Sequence, residues 1–181
     1  MVRLLSILFS VGLALTACTS TPPTGNGGIS VYKISPRDEA KIQFRMLDSV
    51  NALRQARGVA PLQLNAELTA AAATHARDMS VQNRPWHFGS DGSSPIDRVR
   101  RSGYNGILKG ENISETFETE LETLSAWMEA ADTRDVILDP SATHLGFAWL
   151  QEKSGKLWWC LVTGGPGVAP TLSPIAVVAS E

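Results

Sequence analysis

The apolar positions of this chain repeat with two different periods, and the change from one to the other divides it into helices followed by strands. Downstream of Ser35, Phe44, Leu47, Val50 and Leu53 recur every three residues, which predicts an amphipathic helix. Ser35 caps its start, Pro36 suits the first helical position, and Asp38 and Glu39 suit the positive end; Gly58 closes it. "VAPLQL" is a connector of partly extended character. Leu68, Ala72, His75 and Met79, at i, i+4, i+7 and i+11, predict a second helix capped by Asn65, with small residues at 70–73 that permit close approach to a neighbour. Ser94-Pro95-Ile96-Asp97 repeats the Ser-Pro entry and predicts a short helix ending at Gly103, with Asp97 as a capping-box partner. A fourth helix covers about residues 118–131, with Leu121, Leu124 and Trp127 or Met128 inward. The period then drops to two. "THLGFAWL" alternates Leu145, Phe147 and Trp149 against His144, Gly146 and Ala148, and "KLWWCLV" is apolar on both faces. Joined by a turn containing Gly155, they predict an antiparallel hairpin whose second strand is the more deeply buried. Helices first and a hairpin last predict an α+β fold, with helices packed on a small sheet.

The front of the chain has another character. Arg3 precedes an uncharged apolar run over residues 4–15 that is too short to span a bilayer and suits a signal-peptide core. The run ends in Leu15-Thr16-Ala17-Cys18, which resembles the lipobox of bacterial lipoproteins. That resemblance implies cleavage before Cys18 and acylation of Cys18, so that residues 1–17 are a signal peptide and the anchor is lipid. Thr19, with no aspartate at that position, favours the outer membrane where the host has one. Residues 18–34, rich in Thr, Ser, Pro and Gly, read as a flexible tether. Residues 35–164 are one domain's worth of chain, and residues 165–181, with three prolines and no clear period, read as an irregular tail.

Net charge −2 and a pI near 5.9 give no electrostatic reason to expect nucleic acid. With Cys18 lipidated, Cys160 has no disulfide partner, so the core alone must stabilise an exported monomer. The chain has no Gly-rich phosphate loop, no Gly-x-Ser-x-Gly elbow, and no histidine pair at i, i+4.

Two residues stand out. His87 lies on the turn "PWHFGSDGSS", where it either is an exposed loop histidine without a task or points into a cleft. Glu111 sits in "GENIS" beside an apolar residue, either as an edge charge or as a half-buried carboxylate. In the second case it needs a histidine or a cation as partner, because an unpaired buried carboxylate is several kcal/mol unfavourable. His75 reads as a packed helix-stripe residue, His144 as strand surface, and Arg98-Val99-Arg100-Arg101 as a solvated helix face with an Asp97–Arg101 pair.

The order of Leu64-Asn65, His75-Ala76, Asp78-Met79, His87, Asp91-Gly92, Asp97-Arg98, Gly103-Tyr104, Gly110-Glu111-Asn112-Ile113, Trp127 and Ile137-Leu138-Asp139-Pro140 resembles the bacterial branch of the CAP superfamily over residues 40–162. This superfamily includes cysteine-rich secretory and pathogenesis-related proteins. The resemblance implies a three-layer α-β-α sandwich with a small antiparallel sheet and a central cleft. In many members two histidines and two acids line the cleft and can hold a divalent metal. His87 matches the first cavity histidine and Glu111 the glutamate of the Gly-Glu-Asn motif, with Gly110 giving backbone clearance; His75 and Asn112 join them as candidate cavity residues. The chain departs from the pattern at Thr133, where bacterial relatives carry histidine, at Thr143, where the animal and plant branch has its second cavity histidine, and near Ala130, where the second acid is missing although Glu129 is adjacent. His87 and Glu111 are two ligands where zinc takes three or four, so no cofactor is assigned; His75 is the extra ligand if zinc is held.

The expected function is that of a membrane-anchored envelope protein binding a small ligand, a lipid or a cell-wall component in the cleft. One alternative is an envelope hydrolase of peptide or cell-wall bonds, with His87 and Glu111 as an acid–base pair and Ser90 or Ser93 as candidate nucleophiles. Another is a purely structural envelope protein.

Overall fold

The structure is a computed structural model that describes residues 32–116 and 118–167. The expected signal peptide, Cys18 and the tail beyond Gly167 lie outside the described residues. A 3-10 turn, Pro36–Asp38, whose start is capped by the Ser35 side chain, leads into α1 (Glu39–Ala56). Next come β1 (Gln63–Leu64) and α2 (Ala66–Gln82), where Asn65 Oδ1 accepts from the Leu68 amide at 2.8 Å. The chain continues through α3 (Pro95–Arg101), β2 (Ile107–Thr116), α4 (Glu120–Glu129), α5 (Ala131–Leu138), β3 (His144–Gln151) and β4 (Leu157–Gly165). Ser94 and Asp97 close a full capping box on α3, and Thr119 and Glu122 do the same on α4.

The strands lie in the order β1-β3-β4-β2. β4 pairs antiparallel with both β3 and β2, as the expected hairpin requires. The two-residue β1 runs parallel to β3, so the sheet is mixed and not wholly antiparallel. Every residue of β4 is buried, and its side chains alternate between two cores. Leu157, Trp159 and Leu161 join Phe147, Leu145, Ile42, Met46, Val50, Leu124, Trp127 and Ile137 on the face covered by α1, α4 and α5. Trp158, Cys160 and Val162 join Ala148, Leu68, Ala72, Ala76 and Met79 on the face covered by α2 and α3. Helices on both faces make the α-β-α sandwich. The α2 layer sits very close: a Cβ at Gly146 of β3 would lie 2.2 Å from the Leu68 carbonyl carbon, so only glycine lets the helix backbone rest there.

Four local expectations are corrected. The buried stripe of α1 is Ile42, Met46, Val50 and Arg54, while Phe44 is 57% exposed. A fully buried arginine inside a helix stripe is invisible to a hydrophobic pattern, so the pattern selects the wrong phase. On α4, Leu124 and Trp127 point inward but Leu121 is exposed. Tyr32 and Ile34, placed in the tether, are docked: Gln151 receives the Ile34 amide and donates to the Tyr32 carbonyl, and both side chains pack on the core. Finally, α5 occupies a segment for which the sequence pattern predicts no element; its first residue follows Ala130, which has no side chain able to cap.

Candidate functional site

Glu111 faces the α2 side of the sheet, because it pairs across the ladder with Val162, which belongs to that core. Its side chain is only 3% exposed. Four elements aim polar groups at it. From α3, Arg98 Nη2 donates to both carboxylate oxygens, at 2.9 and 2.8 Å. From the turn after α2, His87 Nδ1 donates to Oε1 at 2.9 Å. From α2, His75 Nε2 lies 3.7 Å from Oε1. From β4, the Cys160 thiol donates to Oε2 at 3.8 Å. The capping box that fixes the start of α3 also fixes Arg98, whose Nη1 donates back to the Ser93 carbonyl at 3.1 Å. Arg98 is 4% exposed and is a buried counter-ion, not part of a solvated face; Arg101 of the same run pairs with Asp91 and not with Asp97.

These contacts set the protonation states. Burial alone would raise the Glu111 pKa, but the hydrogen bond from His87, the neighbouring His75 and the Arg98 charge outweigh it and hold the carboxyl below its ordinary value. Burial lowers the His75 pKa, and the attraction of Glu111 only partly offsets this, so the ring is held neutral. Among the described residues neither of its ring nitrogens has a hydrogen-bond partner. Burial, with Glu111 beside it, pushes the Cys160 thiol well up, so it is a protonated donor and not a nucleophile. Glu111 can only accept, so His87 presents an N–H at Nδ1, and its side chain is 51% exposed and open to a ligand.

A stability prediction follows from His75. Its folded pKa lies below its ordinary value of 6.5, so at acid pH the unfolded chain binds a proton that the folded chain refuses. The stabilisation is complete above that pH and is lost as pH falls from there towards the depressed folded value. The melting temperature of the wild type should therefore fall more steeply from pH 7 to pH 5 than that of His75→Gln, measured by circular dichroism. Parallel curves would show that the buried ring is not neutral.

The residues do not fit the divalent metal that the resemblance implies. The guanidinium of Arg98 spans both oxygens that Glu111 would offer and already supplies the positive charge. Among the described residues no group of three or more His, Cys, Asp or Glu side chains is placed to hold a metal ion.

Of the expected cavity residues, His87, Glu111 and His75 are brought together and Asn112 is not. Alternation along β2 turns Asn112 to the opposite face, where it pairs across from Leu161 and donates to the Thr133 carbonyl at 2.8 Å. Gly110 clears room for Val136 of α5, not for His87. Thr133 bonds back to the Trp127 carbonyl at 2.6 Å and ties α5 to α4. His144 is half-buried, its Nδ1 2.9 Å from the Tyr104 hydroxyl. Ser93 is buried, and Ser90 is fixed through its amide to Asp78. Among the described residues no hydroxyl is hydrogen-bonded to His87. Sequence reasoning misses Arg98 and Cys160. The demand of a buried carboxylate for a permanent cation is the signal that could single out Arg98, whose neighbour Val99 is the apolar residue that turns inward.

The family model for the cysteine-rich secretory protein family, CAP, matches residues 47–162. The chain belongs to the CAP family. It is 31% identical over 124 residues to YkwD of Bacillus subtilis, a match that covers 68% of this chain and 48% of that protein. This CAP chain thus spans about half the length of the curated relative it matches. Among solved structures, an extracellular protein containing an SCP domain from Bacillus anthracis aligns with a TM-score of 0.63 at 20% identity, over 73% of this chain and 44% of that one. An outer surface protein from Borrelia burgdorferi aligns with a TM-score of 0.61 at 15% identity, over 75% of this chain and 98% of that one. At these identities the likeness shows the CAP fold.

Proposed function

We propose that this CAP protein is an extracytoplasmic, lipid-anchored receptor that holds a small envelope ligand at His87. The observation that carries the reading is the hydrogen bond of His87 Nδ1 to a buried Glu111 already neutralised by Arg98. It fixes the ring of a side chain that is half exposed at the surface. A hydrolase is the second reading, since the same bond fixes the tautomer a general base needs. It is the weaker one, because Glu111 is tied to Arg98 and no nucleophile among the described residues is joined to His87. The test uses the full chain in detergent, with peptide, lipid and cell-wall fragments as probes, beside His87→Ala. Loss of retention at an unchanged melting temperature supports binding. Loss of turnover of a peptide or cell-wall bond would instead establish the hydrolase. Equal retention by both proteins would overturn a role for His87.

The lipobox-like Leu15-Thr16-Ala17-Cys18 supports the anchor, and the relatives described as extracellular or outer-surface proteins support the location. Among the described residues no helix is long and apolar enough to cross a membrane. Cys18→Ser should move the protein from the membrane fraction to the soluble fraction and abolish labelling by a radioactive fatty acid. Membrane retention of that variant would refute acylation as the anchor.

A further inference from the structure

We propose that the ligand held at His87 is an uncharged saccharide, which lays one ring face on Phe88 and directs a hydroxyl to His87 Nε2. This rests on the reading of His87 as a ligand contact. The independent observation is the construction of the turn around it. Asn83, at φ 48°, ends α2 in the left-handed region, and the chain then presents Trp86, His87 and Phe88 in succession. Gln82, the last residue of α2, fastens both flanks: its Oε1 accepts from Trp86 Nε1 at 2.8 Å, and its Nε2 donates to the Phe88 carbonyl at 3.2 Å. The Trp86 and Phe88 rings are 5.6 Å apart at 57°, and the Arg84 guanidinium lies 4.0 Å above the Trp86 ring. His87 is pinned by Glu111 as described.

The turn is thus held from four directions, yet Phe88 remains 48% exposed. A large aromatic surface that is both fixed and wet loses little conformational freedom when something covers it, the condition that favours binding. The chemistry of the cover follows from what is offered. Glu111 shows no charge to solvent, because it is buried and paired with Arg98. Arg84 sits over the Trp86 ring and brings N–H donors to its side. The surface therefore presents an exposed aromatic ring, an exposed imidazole and the N–H donors of one arginine. A sugar ring matches it, with weakly positive C–H groups for the electron-rich ring face and hydroxyls at its edge. An acyl chain would keep much of its perimeter in water on so open a surface, against the hydrophobic effect.

The experiment is calorimetric titration of the full chain in detergent with chitotetraose, cellotetraose and maltotetraose, with a sulfated oligosaccharide and phosphatidylglycerol vesicles as controls. At least one neutral sugar should bind at millimolar concentration or below. Phe88→Ala and His87→Ala should each weaken it about tenfold or more, while Phe88→Tyr keeps it; melting temperatures show that the variants are folded. Binding of neither neutral sugar nor variant-sensitive ligand overturns both this proposal and the receptor reading. Binding of a peptide, the sulfated sugar or the vesicles alone, lost in His87→Ala, overturns the saccharide and leaves the receptor standing. Neutral-sugar binding indifferent to Phe88→Ala overturns the placement on this turn.

Discussion

Arg98→Ala should destabilise the domain by ~3–5 kcal/mol at neutral pH, the usual consequence of removing one partner of a buried ion pair. The loss exceeds that of the contacts themselves. Glu111 would stay buried with a full negative charge, and His75, held neutral by its surroundings, is a poor substitute for a guanidinium. The pH dependence is the signature. In the wild type the Glu111 pKa lies below its ordinary 4.5, so its stabilisation is present above that pH and is lost as pH falls through the folded value. Without Arg98 two of the influences that hold the carboxyl down are gone, so it takes up its proton at a higher pH than in the wild type and the penalty shrinks as acid protonates it. The gap in denaturant stability between wild type and Arg98→Ala should therefore narrow below about pH 5. In a double-mutant cycle with Glu111→Gln, the second substitution should recover much of the first loss. Additive losses, or a gap that is constant with pH, would show that the pair is not coupled.

Arg54→Met should have an effect of similar size by another route, ~3–5 kcal/mol and roughly 10–15 °C in melting temperature. Arg54 is fully buried and donates to the carbonyls of Ala60 (2.7 Å), Ile137 (2.8 Å), Asp139 (3.0 Å) and Ala142 (3.2 Å). It satisfies the chain where it leaves α5 and turns into β3, and it joins that corner to α1. Methionine fills much of the volume but donates nothing, so the carbonyls of Ile137 and Ala142 lose their partner in a buried place, and those of Ala60 and Asp139 lose theirs nearer the surface. Arg54→Lys, which keeps the charge but not the planar fork, should recover only part of the loss. A loss below about 1 kcal/mol in Arg54→Met, by urea denaturation, would mean that water reaches these carbonyls after all.

These two arginines mark where sequence reading falls short, and for one reason. Patterns of apolar residues locate a core whose inward positions are apolar. Thus β3 and β4 declare both their alternation and their depth, and the α2 stripe of Leu68, Ala72, His75 and Met79 is buried as its spacing predicts. A guanidinium turned inward reads as its opposite. Arg54 hides the true phase of α1, and Arg98 reads as a solvated residue although Glu111 requires a cation. The approach of His87 to Glu111 is legible only through the order of motifs, since 24 residues separate them and no local rule joins a turn to a strand. Asn112 fails on a rule that was available: neighbours on a strand face opposite ways, so Asn112 could not share the direction of Glu111. The α5 helix, eight residues long with one fully buried side chain, offers too few periodic positions to be recognised.

The central place of β4 bears on how the protein is made. The strand that completes the sheet is the last of the described elements to leave the ribosome, and it lies between two strands that precede it. Until it arrives, β2 and β3 have no ladder partner between them, and each helical layer lacks half of its floor. Assembly must wait for the last of the described elements, and its pairings with β2 span about fifty residues, the slow kind of closure. A sheet whose middle strand comes last leaves its two flanking strands without their common partner until the domain is nearly made.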